Sequence, residues 1–185
     1  MAKSSGWVNK DGLIVGFGPR TVSKNSTSRQ LEESLHEVVL KLSDLTLLAT
    51  DATVGTAGTI YDPVAIQNSA FIPANATVQE VWVITDTAAT STGAADLLIG
   101  LYTISASTGK LVAVDADGLA AAGDSALADF SDVGETIVLA KASNAAYVGK
   151  KTVGASPVTV AAISATEVYT AGALTVRVKY TLPAN

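Results

Sequence analysis

The residues best spaced for chemistry are Asp115, Asp117, Gly118 and Asp124. A calcium loop of the EF-hand type places oxygen ligands at positions 1, 3, 5 and 12 and a glycine at 6. With Gly118 at position 6, Asp115 and Asp117 fall at 3 and 5 and Asp124 at 12, but position 1 is Ala113, which has no ligand atom. The bidentate glutamate is also replaced by a shorter acid. The segment therefore reads as a turn followed by a capped helix, and whether Asp115, Asp117 and Asp124 bind calcium stays open. The single histidine, His36, has Glu33 and Glu37 nearby and could act as a base with an orienting carboxylate. No serine in a nucleophile-elbow motif accompanies it, so it reads as a solvent or interface residue. Gly16-Phe17-Gly18-Pro19 lacks the third glycine and the following helix of a phosphate loop, and its proline favours a turn. Asn25-Ser26-Thr27 and Asn75-Ala76-Thr77 match the glycosylation sequon, but with no secretory signal recognised they read as chance matches. Cysteine is absent, which excludes disulfides and thiolate metal sites. The expectation is a protein that is not an enzyme and has no catalytic residues, cofactor or metal.

The elements that would carry these residues are mostly strands. A chain of 185 residues makes one domain, or one domain with an arm, and hides roughly 70% of its unfolded surface on folding. Its positive mean hydropathy comes from Ala, Val, Thr and Gly spread evenly along the chain, a composition that suits strands. No apolar run approaches the ~20 residues that span a bilayer, so neither a signal peptide nor a membrane helix is expected. In 174–182, Leu174, Val176, Val178, Tyr180 and Leu182 alternate with Thr175, Arg177, Lys179 and Thr181. That period of two predicts a strand with one wet face, ended by Pro183. Further strands are predicted at 13–17, 37–43, 78–85, 97–105, 111–114, 136–140 and 157–164, from β-branched and aromatic runs bounded by turn residues. Residues 28–36 fit helix and strand equally. A helix is predicted over 117–129, with Asp117 as N-cap and Leu119, Ala122, Ala126 and Phe130 as its apolar stripe. Segments 44–77 and 141–156 read as long loops. About eight strands without βα alternation predict an all-β fold: an antiparallel β-sandwich or jelly-roll-like domain with an extended N-terminal arm and one short helix.

Charge divides the chain. Residues 1–30 carry five bases, Lys3, Lys10, Arg20, Lys24 and Arg29, against Asp11 alone. Residues 42–109 hold six acids and no base, residues 110–140 six acids and Lys110, and residues 141–185 five bases and Glu167. Either the basic ends fold back on the acidic middle, or a basic arm docks on an acidic partner. The net charge of −5 argues against nucleic acid as that partner. The expected division is a basic arm over 1–30 and a sandwich over 31–185. Trp82 is expected in the core of its strand. Trp7, in a segment rich in Gly, Lys and Asn, would be a partner anchor or pack against its own domain.

Two stretches, WVNKDGLIVGFGPR (7–20) and FIPANATVQEVWVITDT (71–87), resemble segments of small virion structural proteins of tailed phages, and the closing GALTVRVKYTL strand fits the same pattern. The first resembles the opening that precedes an arm; the second resembles an Ile-Pro-Ala-X-Ala entry into a central strand. The resemblance implies a head decoration, or cement, protein: β-rich, commonly homotrimeric, lying on the outer capsid surface at three-fold positions and bridging subunits of the major capsid protein. It implies capsid contacts through the arm, with Lys3, Trp7, Lys10, Arg20, Lys24 and Arg29 as candidates. No nucleic acid or membrane partner is expected. The alternative is a tail, neck or fibre component that binds carbohydrate or a receptor on the host surface. An enzyme such as a calcium-dependent hydrolase would want a second histidine or a cysteine, which the chain lacks.

Overall fold

The computed structural model describes residues 5–8, 14–17, 35–51, 58, 60–61, 70–124, 126–140, 144–165 and 167–183. The chain forms two compact units, Met1–Glu33 and Ser34–Asn185. In the first, β1 (Ser5–Val8) pairs antiparallel with β2 (Ile14–Phe17), Trp7 opposite Val15. The turn signal Asp11-Gly12 falls between them in sequence.

The second unit is a β-sandwich. Its four-stranded sheet runs β10-β7-β12-β3 and is antiparallel throughout. These strands are β3 (Leu35–Leu42), β7 (Thr77–Ser91), β10 (Thr136–Leu139) and β12 (Tyr169–Thr181). The six-stranded sheet runs β4-β11-β8-β9-β5, with β6 also paired to β11. Its long strands are β8 (Asp96–Ile104), β9 (Leu111–Ala120) and β11 (Val158–Ala165). Its two-residue strands are β4 (Thr50–Asp51), β5 (Ile60–Tyr61) and β6 (Phe71–Ile72). All its pairings are antiparallel except β4 with β11.

The sheets meet through one apolar core. Leu40, Leu42, Val81, Val83, Leu174, Val176 and Val178 from the first sheet join Leu97, Ile99, Leu101, Val158, Val160 and Ala162 from the second. Each such leucine, isoleucine or valine side chain, fully buried, contributes on the order of 1.5–3 kcal/mol. β12 alternates largely as its sequence predicts, with Leu174, Val176 and Val178 fully buried and Arg177 exposed; Thr175, expected on the wet face, is instead buried, its hydroxyl donating to Asp86 at 2.6 Å. β7 changes phase near its start: Val78 points inward, and so do Val81 and Val83. The cause is a register shift in which Lys179 faces Glu80 but Tyr180 faces Val78, so one extra residue of β7 enters the ladder. A bulge of that kind flips every side chain beyond it to the other face. At Gly172 the backbone has φ of 130°, and a Cβ would lie 2.7 Å from Leu45 Cδ1, so only glycine fits where β12 bends against β7.

The six-stranded sheet has a second apolar cluster on its opposite face, formed by Leu98, Tyr102, Leu111, Ala113, Ala161 and Ile163. Every residue of β11 is buried. That explains why 97–105 and 157–164 show no strict period of two: a strand covered on both faces has no wet side to mark with polar residues.

The predicted helix over 117–129 does not form. Leu119 and Ala120 continue β9, residues 122–124 turn, and among the described residues there the only helical piece is a 3-10 turn over Leu127–Phe130. The glycines explain it: Gly123 has φ of 83°, and Gly118 is backed by the Tyr147 ring and the Asp115 side chain, closer than a Cβ tolerates. Alanine content gave the stretch a helical composition, but two glycines and long-range packing overrode it. Phe130 still reaches the core. The long segment 44–77 contains a 3-10 turn at Leu45–Leu47 and the short strands β4 to β6.

Candidate functional site

The six arm residues singled out by charge and aromaticity lie at the edge of what is described. Lys3, Lys10, Arg20, Lys24 and Arg29 fall outside the described residues, and for Trp7 the backbone position in β1 is defined but not its side chain.

The outer face of the four-stranded sheet holds a cluster of aromatic and charged side chains. Trp82 projects there, between the inward Val81 and Val83, and is half-buried rather than in the core. A period of two already requires this, because a residue between two core valines must face the other way. Across the sheet Trp82 aligns with Val138 on one side and Arg177 on the other, with Val39 beyond. The indole Nε1 donates to Glu80 Oε2 at 3.0 Å, and the Lys179 ammonium donates to the same oxygen at 3.2 Å. That ammonium also lies 4.4 Å from the centre of the Trp82 ring, a cation–π contact. The hydrogen bond from Trp82, then that from Lys179, holds the Glu80 carboxyl below its ordinary range. Arg177 reaches Glu37 at 3.6 Å. Lys179 with Glu80 joins the basic C-terminal zone to the acidic middle, so this part of the charge division is self-complementary. His36 stacks on Tyr180, ring centres 5.4 Å apart, at the end of the β3–β12 pair.

Asp115, Asp117 and Asp124 are divided between two tasks. Asp124 staples a turn: its carboxylate accepts from the backbone N–H of Ala121, Asn144 and Ala145 and from the Asn144 side chain, at 3.0–3.3 Å. Asp115 and Asp117 lie where β9 leaves its partner. Opposite β8, the register jumps from Leu101–Asp115 to Ile99–Ala120, so residues 116–119 loop out against Gly100 alone. A Cβ at Gly100 would collide with the Ala116 carbonyl and the Asp115 backbone oxygen, so glycine is what admits the crossing backbone. The Asp115 carboxyl is pushed up to about 6, first by burial and then by its hydrogen bond and like charge with Asp117, against the opposing pull of Lys151. The Lys151 ammonium rests 3.9 Å from the centre of the Tyr147 ring, which packs over Gly118. Among the described residues no three His, Asp or Glu side chains converge as a metal site. The spacing of the three aspartates was legible; the crossing of β9 over Gly100, which separates their roles, was not.

No protein-family model matches the chain, and no curated protein matches it. Among solved structures, the capsid of Ralstonia phage GP4 is similar over 81% of this chain and 86% of that chain, with 15% sequence identity and a TM-score of 0.43.

Proposed function

We propose that this chain is a structural virion protein that decorates the outer surface of a tailed-phage capsid as a homotrimer and stabilises it by bridging subunits of the major capsid protein. The observation that carries the reading is where the resembling stretches fall. FIPANATVQEVWVITDT covers β6 and most of β7, and GALTVRVKYTL covers most of β12. These two strands are hydrogen-bonded neighbours, Val83 opposite Val176 and Val81 opposite Val178, so the resemblance lies in the paired centre of one sheet. The entry turn is also specific: Asn75 adopts φ of 60°, a conformation asparagine tolerates better than most residues, and its N–H donates to the Gly154 carbonyl at 2.7 Å.

Stabilisation of a shell needs no bond-making. Any molecule that binds only the assembled state stabilises it by mass action. Three equivalent arms per trimer act at high effective concentration, so contacts that are weak singly hold firmly together. The basic arm supplies charge for an acidic shell surface, and Trp7 supplies an aromatic anchor. The test is the temperature at which particles release DNA, bare and decorated, together with subunit counting on the particles. Decoration raises that temperature, and removal of residues 1–24 abolishes it. Trp7→Ala weakens each arm by on the order of 2 kcal/mol, with a larger loss for the trimer. Equal disruption temperatures for bare and fully decorated particles overturn the reading in favour of a host-surface binding module.

A further inference from the structure

A groove of about 560 Å3 opens on the second unit, within the range of about 300–1,000 Å3 typical of ligand clefts. One wall comes from Ala89 and Ser91 of β7, with Ala95 and Asp96 at the start of β8; the other comes from Ala126 and Ser131, which bracket the 3-10 turn. One backbone bridge joins the walls, and two local hydrogen bonds brace the second wall and its turn. Asp96 and Ala126 form a backbone bridge, Asp129 accepts from the Ala126 N–H at 3.0 Å, and Glu135 accepts from the Asp132 N–H at 3.0 Å. The lining is small and largely apolar, while the charge on it and on the adjoining turn is all negative: Asp96 in the wall, with Asp129, Asp132 and Glu135 on the 129–135 segment. No lysine or arginine lines it among the described residues. Beside it, Tyr169 pairs in register with Ser91, and its fully buried hydroxyl has no hydrogen-bond partner. Burial, and then the Asp96 charge, hold that phenol well above its ordinary pKa.

We infer that this groove receives an extended segment of another protein chain that carries lysine or arginine between small residues. The small residues lie along the alanine wall, and the cation is set against Asp96. A neutral apolar segment would fill the same space but leave Asp96 facing an uncharged neighbour. Nucleic acid and anionic glycans meet like charge here. The inference rests on the proposed structural role only in requiring a protein partner.

The experiment is fluorescence anisotropy of the full-length protein with a labelled peptide of alanine and glycine carrying lysine at every third position, and with the same peptide carrying glutamine instead. The lysine peptide binds at low salt and weakens as salt rises. The glutamine peptide binds at least tenfold more weakly. Asp96→Asn lowers affinity for the lysine peptide at least tenfold, and Ser131→Lys, at an exposed position, does the same with the groove wall intact. Thermal melts of both variants verify their fold. Equal binding of the two peptides, or unchanged affinity in both variants, overturns the inference. No particle is involved. A protein that takes the peptide but never decorates capsids refutes the capsid role alone, and one that decorates capsids but ignores the peptide refutes the groove alone.

Discussion

The two sheets of the sandwich solve the same packing problem with different numbers of wet faces. The six-stranded sheet is apolar on both sides of β8 and β11, and Leu98 and Ile163 on its far face are as inaccessible as Leu97 and Val160 on its near one. The four-stranded sheet buries one face and presents Trp82, Lys179, Arg177 and Glu37 on the other. The difference teaches where this chain tolerates change. A strand with a charged face can exchange half its residues at small cost, whereas a strand covered on both sides has no neutral positions.

The strongest way to break this contrast is Ile163→Ala, on the far face of β11. It should cost about 2–5 kcal/mol, like truncation in an ordinary core, because the cluster around it closes only partly over the void. Chemical denaturation measures it, and a loss below about 1 kcal/mol would mean that the far face is not a second core. The next effect belongs to the crossing of β9 over Gly100. In the folded state Asp115 titrates at about 6, above the ordinary carboxyl value of 3.8, so the native chain binds more protons than the unfolded one between those values. Stability contributed by this group is therefore full below pH 3.8 and falls as pH rises through 6. Because the carboxyl is partly solvated, the loss should be about 1 kcal/mol, less than the shift alone would imply. Asp115→Asn should remove that slope, seen as equal denaturation midpoints for the variant at pH 5 and pH 8 where the parent differs. The smallest effect sharpens the contrast from the other side. Arg177→Ala breaks the 3.6 Å pair with Glu37 on an exposed face and should change stability by less than about 0.5 kcal/mol, within the error of a thermal melt.

The same contrast decides how much of the molecule could be read from its residues. β12 declared itself through strict alternation because one side of it is wet. β8 and β11 were recognisable only as apolar runs between turn residues, since burial on both sides erases periodicity. The bulge that rephases β7 left no mark in the sequence, because Gln79 and Glu80 are ordinary strand residues and the extra position is defined only by its partner on β12. The window 117–129 misled through composition: alanine spacing implied a helix, whereas the decisive restraints were Tyr147 against Gly118 and the turn stapled by Asp124 with Asn144 and Ala145. Trp82 reads as core because it belongs to a core strand, although the valines on either side of it require the opposite face. The groove at Asp96 was invisible for a different reason. Its two walls, 89–96 and 126–131, lie thirty residues apart in sequence, and neither carries a recognisable motif until β8 and the 3-10 turn bring them together.

The place of β12 carries a last consequence, for the order of events in folding. It lies between β7 and β3, the only long partner β3 has among the described strands, yet it follows both of them and is the last of the described strands. During synthesis β3 and β7 emerge early and cannot be bridged until residues 169–181 appear. Until then Leu40, Leu42, Val81 and Val83 have no β12 between them and expose apolar surface. Pairings that span nearly the whole chain close slowly. Incomplete chains with open strand edges associate with one another. The chain therefore becomes committed to its sandwich in a late, all-at-once step, and its yield in production should depend on temperature and concentration more steeply than its final stability does.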